Sequence, residues 1–195
     1  MLAALAGGGT PALTVELRGE ISALDGSVLQ LAALKGLFTD STEEPVTYVN
    51  APLVAKERGV ELTLTSDEVS PDWRNVLTLR SSTADGQLIS ISGALSGLRH
   101  AERIVEVNGL DAEIAPADHM MFFSYSDRPG VVGIVGQLLG GKQINIGGMQ
   151  VCRHAQGGEA LIVLSVDSAV PPDVLADIAE AIGAALARVV DLAGD

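Results

Sequence analysis

The 195-residue sequence predicts an α+β chain folded as two domains. In its first part, short runs of apolar and polar residues alternate, broken by two helical stretches. Its second part reads strand, helix, strand, strand, helix, strand over residues 119–192. The rhythm changes after Asn108-Gly109.

In the first part Leu13, Val15, Leu17 and Ile21 alternate with Thr14, Glu16, Arg18 and Glu20, as in a half-buried strand. Leu24, Val28, Leu31, Leu34 and Phe38 then recur at helical spacing. After Pro45 a second short helix is expected over 51–58, with Gly59 at its C-terminal end. Val60, Leu62 and Leu64 alternate again, and Ser70-Pro71-Asp72 marks a turn. Strands are expected over 76–82, 88–95 and 103–107. The first two are joined by a hairpin at Ala84-Asp85-Gly86, since Asp-Gly supplies the positive φ a tight turn needs.

The second part predicts strands over 119–126, 144–153, 160–166 and 189–192, with helices over 131–139 and 174–186. That order is the ferredoxin-like split βαβ arrangement. The division expected from these patterns is a linker remnant or disordered segment at 1–11, a first domain at 12–115 and a second at 116–195. There are 8 basic and 16 acidic residues before position 116 and 4 and 9 from there on, so charge does not mark the seam.

Composition narrows the function. Hydrophobic residues make up 47% of the chain and aromatic ones 3%, so the core is expected to be aliphatic. A net charge of −13 repels nucleic acid and anionic membrane surfaces and leaves small molecules and proteins as partners. The lone Cys152 excludes an internal disulfide and suits a reducing cytoplasm. The apolar start, Met1 to Ala6, has no basic flank and runs into Gly7-Gly8-Gly9, too short for a signal peptide or a membrane span. It has the pattern of a segment preceded by something larger.

Enzyme signatures are missing. No Gly-x-Gly-x-x-Gly follows a strand, no Gly-x-Ser-x-Gly elbow occurs, and His100, His119 and His154 lack metal-ligand spacing. Glu43-Glu44 beside Pro45 reads as a solvated loop, Cys152 as an inert buried thiol, and Met120 to Phe123 as core or interface. No catalytic residue, metal site or cofactor site is expected.

The informative segment is Tyr125-Ser126-Asp127-Arg128-Pro129-Gly130-Val131-Val132-Gly133, followed by Asn145 in Ile144-Asn145-Ile146-Gly147-Gly148. Pro129 suits a helix start, and Gly130 lets a ligand approach the backbone. The amides of Gly130, Val131 and Val132, with the helix dipole, favour a carboxylate. Asp127, just outside the helix, can accept an ammonium. The same residues also fit a plain capped turn, and the sequence leaves both readings open.

This segment resembles the ACT domain, a small ferredoxin-like module that senses amino acids. Residues 118–192 are similar to the C-terminal ACT domain of the D-3-phosphoglycerate dehydrogenase family. The stretches Val15-Glu16-Leu17-Arg18-Gly19-Glu20, Ala33-Leu34-Lys35-Gly36, Tyr48-Val49-Asn50-Ala51-Pro52-Leu53 and Ala55-Lys56-Glu57-Arg58-Gly59-Val60 resemble the allosteric substrate-binding domain of its longer form. Nearly the whole chain is covered, about residues 12–192. The family's substrate- and nucleotide-binding domains, with their catalytic His and Glu, have no counterpart in it.

The resemblance implies a regulatory and oligomerising region of a serine-biosynthetic, NAD-dependent enzyme, cytoplasmic and without its own cofactor. L-Serine is the implied effector, held between paired ACT domains of a dimer or tetramer. Asp127 would hold its ammonium and Asn145 of the paired domain its carboxylate or hydroxyl. Tyr125 would line the pocket, the amides of Gly130, Val131 and Val132 would help with the carboxylate, and Arg128 and Pro129 would belong to the same effector-binding segment. In the other domain Arg103 matches a basic position that can take an anion. Leu110-Asp111-Ala112-Glu113-Ile114-Ala115 lacks further basic residues found there in some members, leaving Arg74, Arg99 and His100 as possible substitutes. Arginines on an acidic surface are more often ion-pair partners, so strong anion regulation is not expected. Two other readings stand beside this one: the beta subunit of an iron–sulfur L-serine dehydratase, which would need a separate cysteine-bearing chain, and a purely structural dimerisation module.

Overall fold

A computed structural model describes residues 1–8, 10–39, 42, 44–83 and 86–192. Gly9, Glu43 of the acidic pair, and Ala84 and Asp85 of the expected hairpin turn lie outside the described residues. The chain divides into two units, Met1–Gly109 and Leu110–Asp195.

The first unit carries α1 (Leu2–Ala6), β1 (Ala12–Gly19), a 3-10 turn (Glu20–Ala23), α2 (Ser27–Phe38), α3 (Ala51–Glu57), β2 (Glu61–Asp67), β3 (Asn75–Ser82), β4 (Leu88–Ser96) and β5 (Ala101–Val107). Its strands lie in the order β2-β1-β3-β4-β5. β1 and β2 are parallel, and the other neighbours are antiparallel. Parallel strands need a long crossover, which α2 and α3 provide. Leu13, Val15 and Leu17 point inward on β1 to meet a core that includes Leu34, Leu37, Phe38, Ala51 and Ala55.

Three sequence expectations change here. Residues 1–11 hold helix α1 rather than a linker: Leu2 and Leu5 share a face, are buried, and lie against β3 and β4. Leu24 and Val28 do not join the apolar stripe and are 69% and 64% exposed. Asp25 Oδ1 accepts the Ser27 amide at 3.0 Å, so the helix starts at Ser27 and leaves Leu24 in an extended conformation outside it. β1 stops at Gly19, whose φ of +85° suits glycine; a Cβ there would sit 2.1 Å from the Arg74 carbonyl oxygen.

The second unit carries β6 (Leu110–Ile114), β7 (His119–Ser126), α4 (Val131–Gly141), β8 (Ile146–Arg153), β9 (Glu159–Val166), α5 (Pro172–Ile182) and β10 (Leu186–Asp191). From β7 onward this is the expected βαββαβ order. The sheet runs β10-β7-β9-β8, antiparallel throughout, with β8 last in the order. Val131, Val135 and Leu139 on α4, and Val174, Ile178 and Ile182 on α5, recur every fourth residue. All six are buried with Met121, Phe123, Tyr125, Ile162 and Leu164 of the sheet.

β6 had not been expected from the sequence. Leu110, Ala112 and Ile114 alternate inward while Asp111 and Glu113 face out. The strand lies against β8, where the Glu113 amide donates to Gln150 Oε1 at 2.6 Å. α5 ends at Ile182, four residues before the sequence expectation, because Gly183 turns left-handed at φ +66°. Ala184 N–H then closes back on the Ala179 carbonyl at 2.8 Å, and β10 begins at Leu186, three residues early.

Among the described residues no helix is long and apolar enough to cross a membrane, and no group of three or more His, Cys, Asp or Glu could hold a metal.

Candidate effector site of the second unit

The β7–α4 junction is built by a strand delivering Asp127 to the edge of the β8–β9 loop. In the antiparallel ladder Ser126 faces Glu159 and Arg153 faces Ala160, so the end of β7 and the end of β8 meet at the same rim. The Asp127 amide donates to the Gly158 carbonyl at 2.8 Å. Its Oδ2 accepts the Gly157 amide at 3.1 Å and Nη1 of Arg153. The Gly157 N–H first, and then the Arg153 guanidinium, hold the Asp127 carboxyl below its ordinary range. Asp127 is therefore an ionised group with two partners already in place.

Arg128 turns away from the rim. Its Nη2 donates to the carbonyls of Ile182 at 3.0 Å and Ala181 at 3.4 Å, satisfying the C-terminal end of α5. Pro129 stands before the N-cap rather than at the first helical position. The cap is Gly130 at φ +93°, a left-handed conformation that favours glycine. No side chain caps α4. Val131 is buried in the core, whereas Val132 is half-exposed. Tyr125 is buried in the core cluster that includes Val131 and Val135. Burial first, and then the Asp127 charge, raise its phenol above the ordinary value.

Asn145 sits at the opposite rim. It precedes Ile146, which faces Val166, and Val166 faces His119 at the start of β7. Seven strand steps separate the two rims, about 23 Å. Asn145 Nδ2 donates to Asp167 Oδ2 at 2.7 Å, and its carbonyl accepts the Asp167 amide at 3.1 Å. One chain thus unites Asp127 with Arg153, Gly157 and Gly158, but not with Asn145. The sequence reading had missed Arg153 and Gly157. The strand order carried the signal: in a βαββ unit the end of β7 must neighbour the β8–β9 hairpin.

In the first unit Arg99 and His100 are exposed on the β4–β5 turn, and Arg103 lies on β5 opposite Ala94. Arg74 precedes β3, whose Val76 also faces Ala94, so all four share one end of the sheet. Arg74 is committed to Glu20, at 2.8 Å from Nε and 2.7 Å from Nη2. Arg103 Nη1 donates to the Glu102 carbonyl at 3.0 Å. In the second unit Cys152 is buried, and burial followed by the Asp111 charge pushes its thiol up, which opposes nucleophilic chemistry.

Residues 3–108 match the family described as D-3-phosphoglycerate dehydrogenase intervening domain, and residues 119–183 match the ACT domain. Among curated proteins, D-3-phosphoglycerate dehydrogenase of Mycobacterium leprae is 38% identical over 192 residues, 98% of this chain and 36% of that protein. The Mycobacterium bovis protein of that name is 41% identical over 92% of this chain and 34% of its own length. The Synechocystis one is 38% identical over 92% and 32%. The chain therefore spans about a third of the length of these relatives. Among solved structures, a chain described as "GqqA- a novel type of quorum quenching acylases" aligns at a TM-score of 0.31 and 13% identity, over 77% of this chain and 62% of that one, too weak a likeness to carry any argument. The chain belongs to the D-3-phosphoglycerate dehydrogenase intervening-domain family, and carries an ACT domain behind that domain.

Proposed function

We propose that this chain is the regulatory region of a D-3-phosphoglycerate dehydrogenase, which binds L-serine as feedback effector between paired ACT units and holds the subunits together through them. The observation that carries the reading is the placement of Asp127 and Asn145 at opposite rims of a sheet that ends in β8. A two-fold axis across two β8 edges would pair them antiparallel, as isologous contacts do. The Asp127 rim of one chain then meets the Asn145 rim of its partner, twice per dimer. Pairing would also give a ladder partner to β8, the last strand in that sheet's order among the described residues. Each site would offer a carboxylate for the ammonium and an amide for the hydroxyl or carboxylate of a small amino acid. Oxidation of 3-phosphoglycerate with NAD belongs, on this reading, to the remainder of a cytoplasmic enzyme. The Arg74, Arg99, His100 and Arg103 end of the first sheet is at most a weak anion site, with Arg74 already paired.

Calorimetric titration with L-serine, using D-serine and glycine as controls, tests this. The informative variant is Asp127→Asn, which removes the charge while keeping an acceptor for the Gly157 amide that anchors the loop. Saturable, L-selective heat in the native chain, lost in Asp127→Asn and in Asn145→Ala, is the expected result. No heat from a folded dimer would leave only a scaffold.

A further inference from the structure

We propose that Arg153 is the carboxylate-binding and charge-selecting residue of this effector site, so that the Asp127–Arg153 pair receives a zwitterionic amino acid and rejects ligands carrying only one of its charges. The proposal rests on the effector reading above and names a residue that neither the sequence pattern nor the resemblance supplied.

Asp127 is the fixed member of the pair. Its side chain is 11% exposed, and the Gly157 amide holds the same oxygen that Arg153 contacts. Arg153 is the movable member: its side chain is 49% exposed and projects from the last residue of β8. Among the described residues its side chain makes one hydrogen bond, Nη1 to Asp127, and a guanidinium has five N–H donors. The remaining donors form a planar fork suited to a second carboxylate. The other cation of the motif, Arg128, is turned to the carbonyls of Ala181 and Ile182. Arg153 is thus the cation at the Asp127 rim.

A zwitterion fits such a pair without leaving a charge uncompensated. Its ammonium meets the Asp127 carboxylate, and its carboxylate meets the Arg153 fork. A ligand with only the ammonium sets its positive charge beside Arg153 with nothing to offset it. One with only the carboxylate does the same beside Asp127. Uncompensated charge in a partly dry site is costly, so discrimination follows from the pair itself.

The test compares L-serine with L-serinamide, which lacks the carboxylate charge, and N-acetyl-L-serine, which lacks the ammonium. Each is titrated into the whole chain, native, Arg153→Gln and Arg153→Lys. Circular dichroism and thermal unfolding confirm that each variant is folded. The native chain is expected to prefer L-serine over both analogues. Arg153→Gln should lose about 10- to 100-fold in L-serine affinity, the usual worth of a charged hydrogen-bonding group. It should also lose its discrimination against L-serinamide, and Arg153→Lys should recover part of both. Native binding that Arg153→Gln leaves unchanged would overturn the proposal while leaving the effector reading intact, placing the carboxylate on the α4 amides instead. Tighter binding in Arg153→Gln would also overturn it, making Arg153 a mere counterion displaced by the ligand. No binding of L-serine to the native chain would overturn both.

Discussion

The two units bury their side chains by different rules. In the second, α4 and α5 each commit one residue in four to the sheet, and the core cluster beneath them is wholly apolar apart from the Tyr125 hydroxyl. In the first, α2 buries only Leu34, Leu37 and Phe38 near its C-terminal end, and Val28 stands 64% exposed in its first turn. The first unit also holds every buried polar side chain recorded among the described residues: Thr10, Thr78, Ser81, Ser90 and Ser92. A helix that faces one sheet along its whole length has its stripe set by that neighbour. A helix that is apolar nearly all round, with its buried residues gathered at one end, does not.

The widest gap between the units should appear in truncations of their helices. Ile178→Ala removes a fully buried side chain between α5 and the sheet and should cost about 2–5 kcal/mol. Val28→Ala should cost no more than about 0.5 kcal/mol, as exposed changes do. Denaturant unfolding followed by circular dichroism measures both. A large cost for Val28→Ala would break the comparison and show that the first turn of α2 is covered in the assembled protein.

The same contrast explains what the sequence could and could not reveal. β7 was legible to the residue, and α4 nearly so, because period and burial coincide there. Leu24 misled because its apolar spacing matched α2, while the Asp25–Ser27 contact starts that helix only after it. α5 was drawn too long because Ala184 and Ala185 suit a helix, and only the left-handed Gly183 marks its end. At the site, Asp127, Gly130 and Asn145 were legible as residue types suited to a zwitterion. Their placement at opposite rims of one chain follows from the strand order and not from spacing in sequence, and the resemblance had already set Asn145 on the paired domain. Tyr125 fell at an inward position of β7, a consequence of alternation that the motif obscured.

An intermediate effect is expected where the first unit buries hydroxyls. The Thr78 and Ser92 hydroxyls hydrogen-bond each other at 2.8 Å across β3 and β4, both buried. Ser92→Ala alone leaves the Thr78 hydroxyl without that partner and should cost about 1–3 kcal/mol. Adding Thr78→Val removes the orphaned group and should recover most of the loss. A double variant no more stable than the single would mean that packing, rather than the hydrogen bond, sets the cost.

The smallest effect concerns the charge held on β1. Burial alone would raise the Glu16 carboxyl, but hydrogen bonds from Arg80 at 3.0 Å and Arg18 at 2.6 Å, with their charges, bring it below its ordinary value of 4.5. A carboxyl lowered by folding adds stability that is fully present above the unfolded value and is lost as pH falls through the folded one. Both arginines are more than a third exposed, so solvent screens the pair and the contribution should stay under about 1 kcal/mol. The stability gap between the native chain and Glu16→Gln should therefore be constant from pH 7 down to about pH 5 and close in the acid range below it. A gap that instead persists unchanged to pH 3 would show that Glu16 acts through the packing of its side chain against Arg18 and Arg80 and not through its charge, which would leave buried hydroxyls, rather than ion pairs, as what sets the first unit apart from the second.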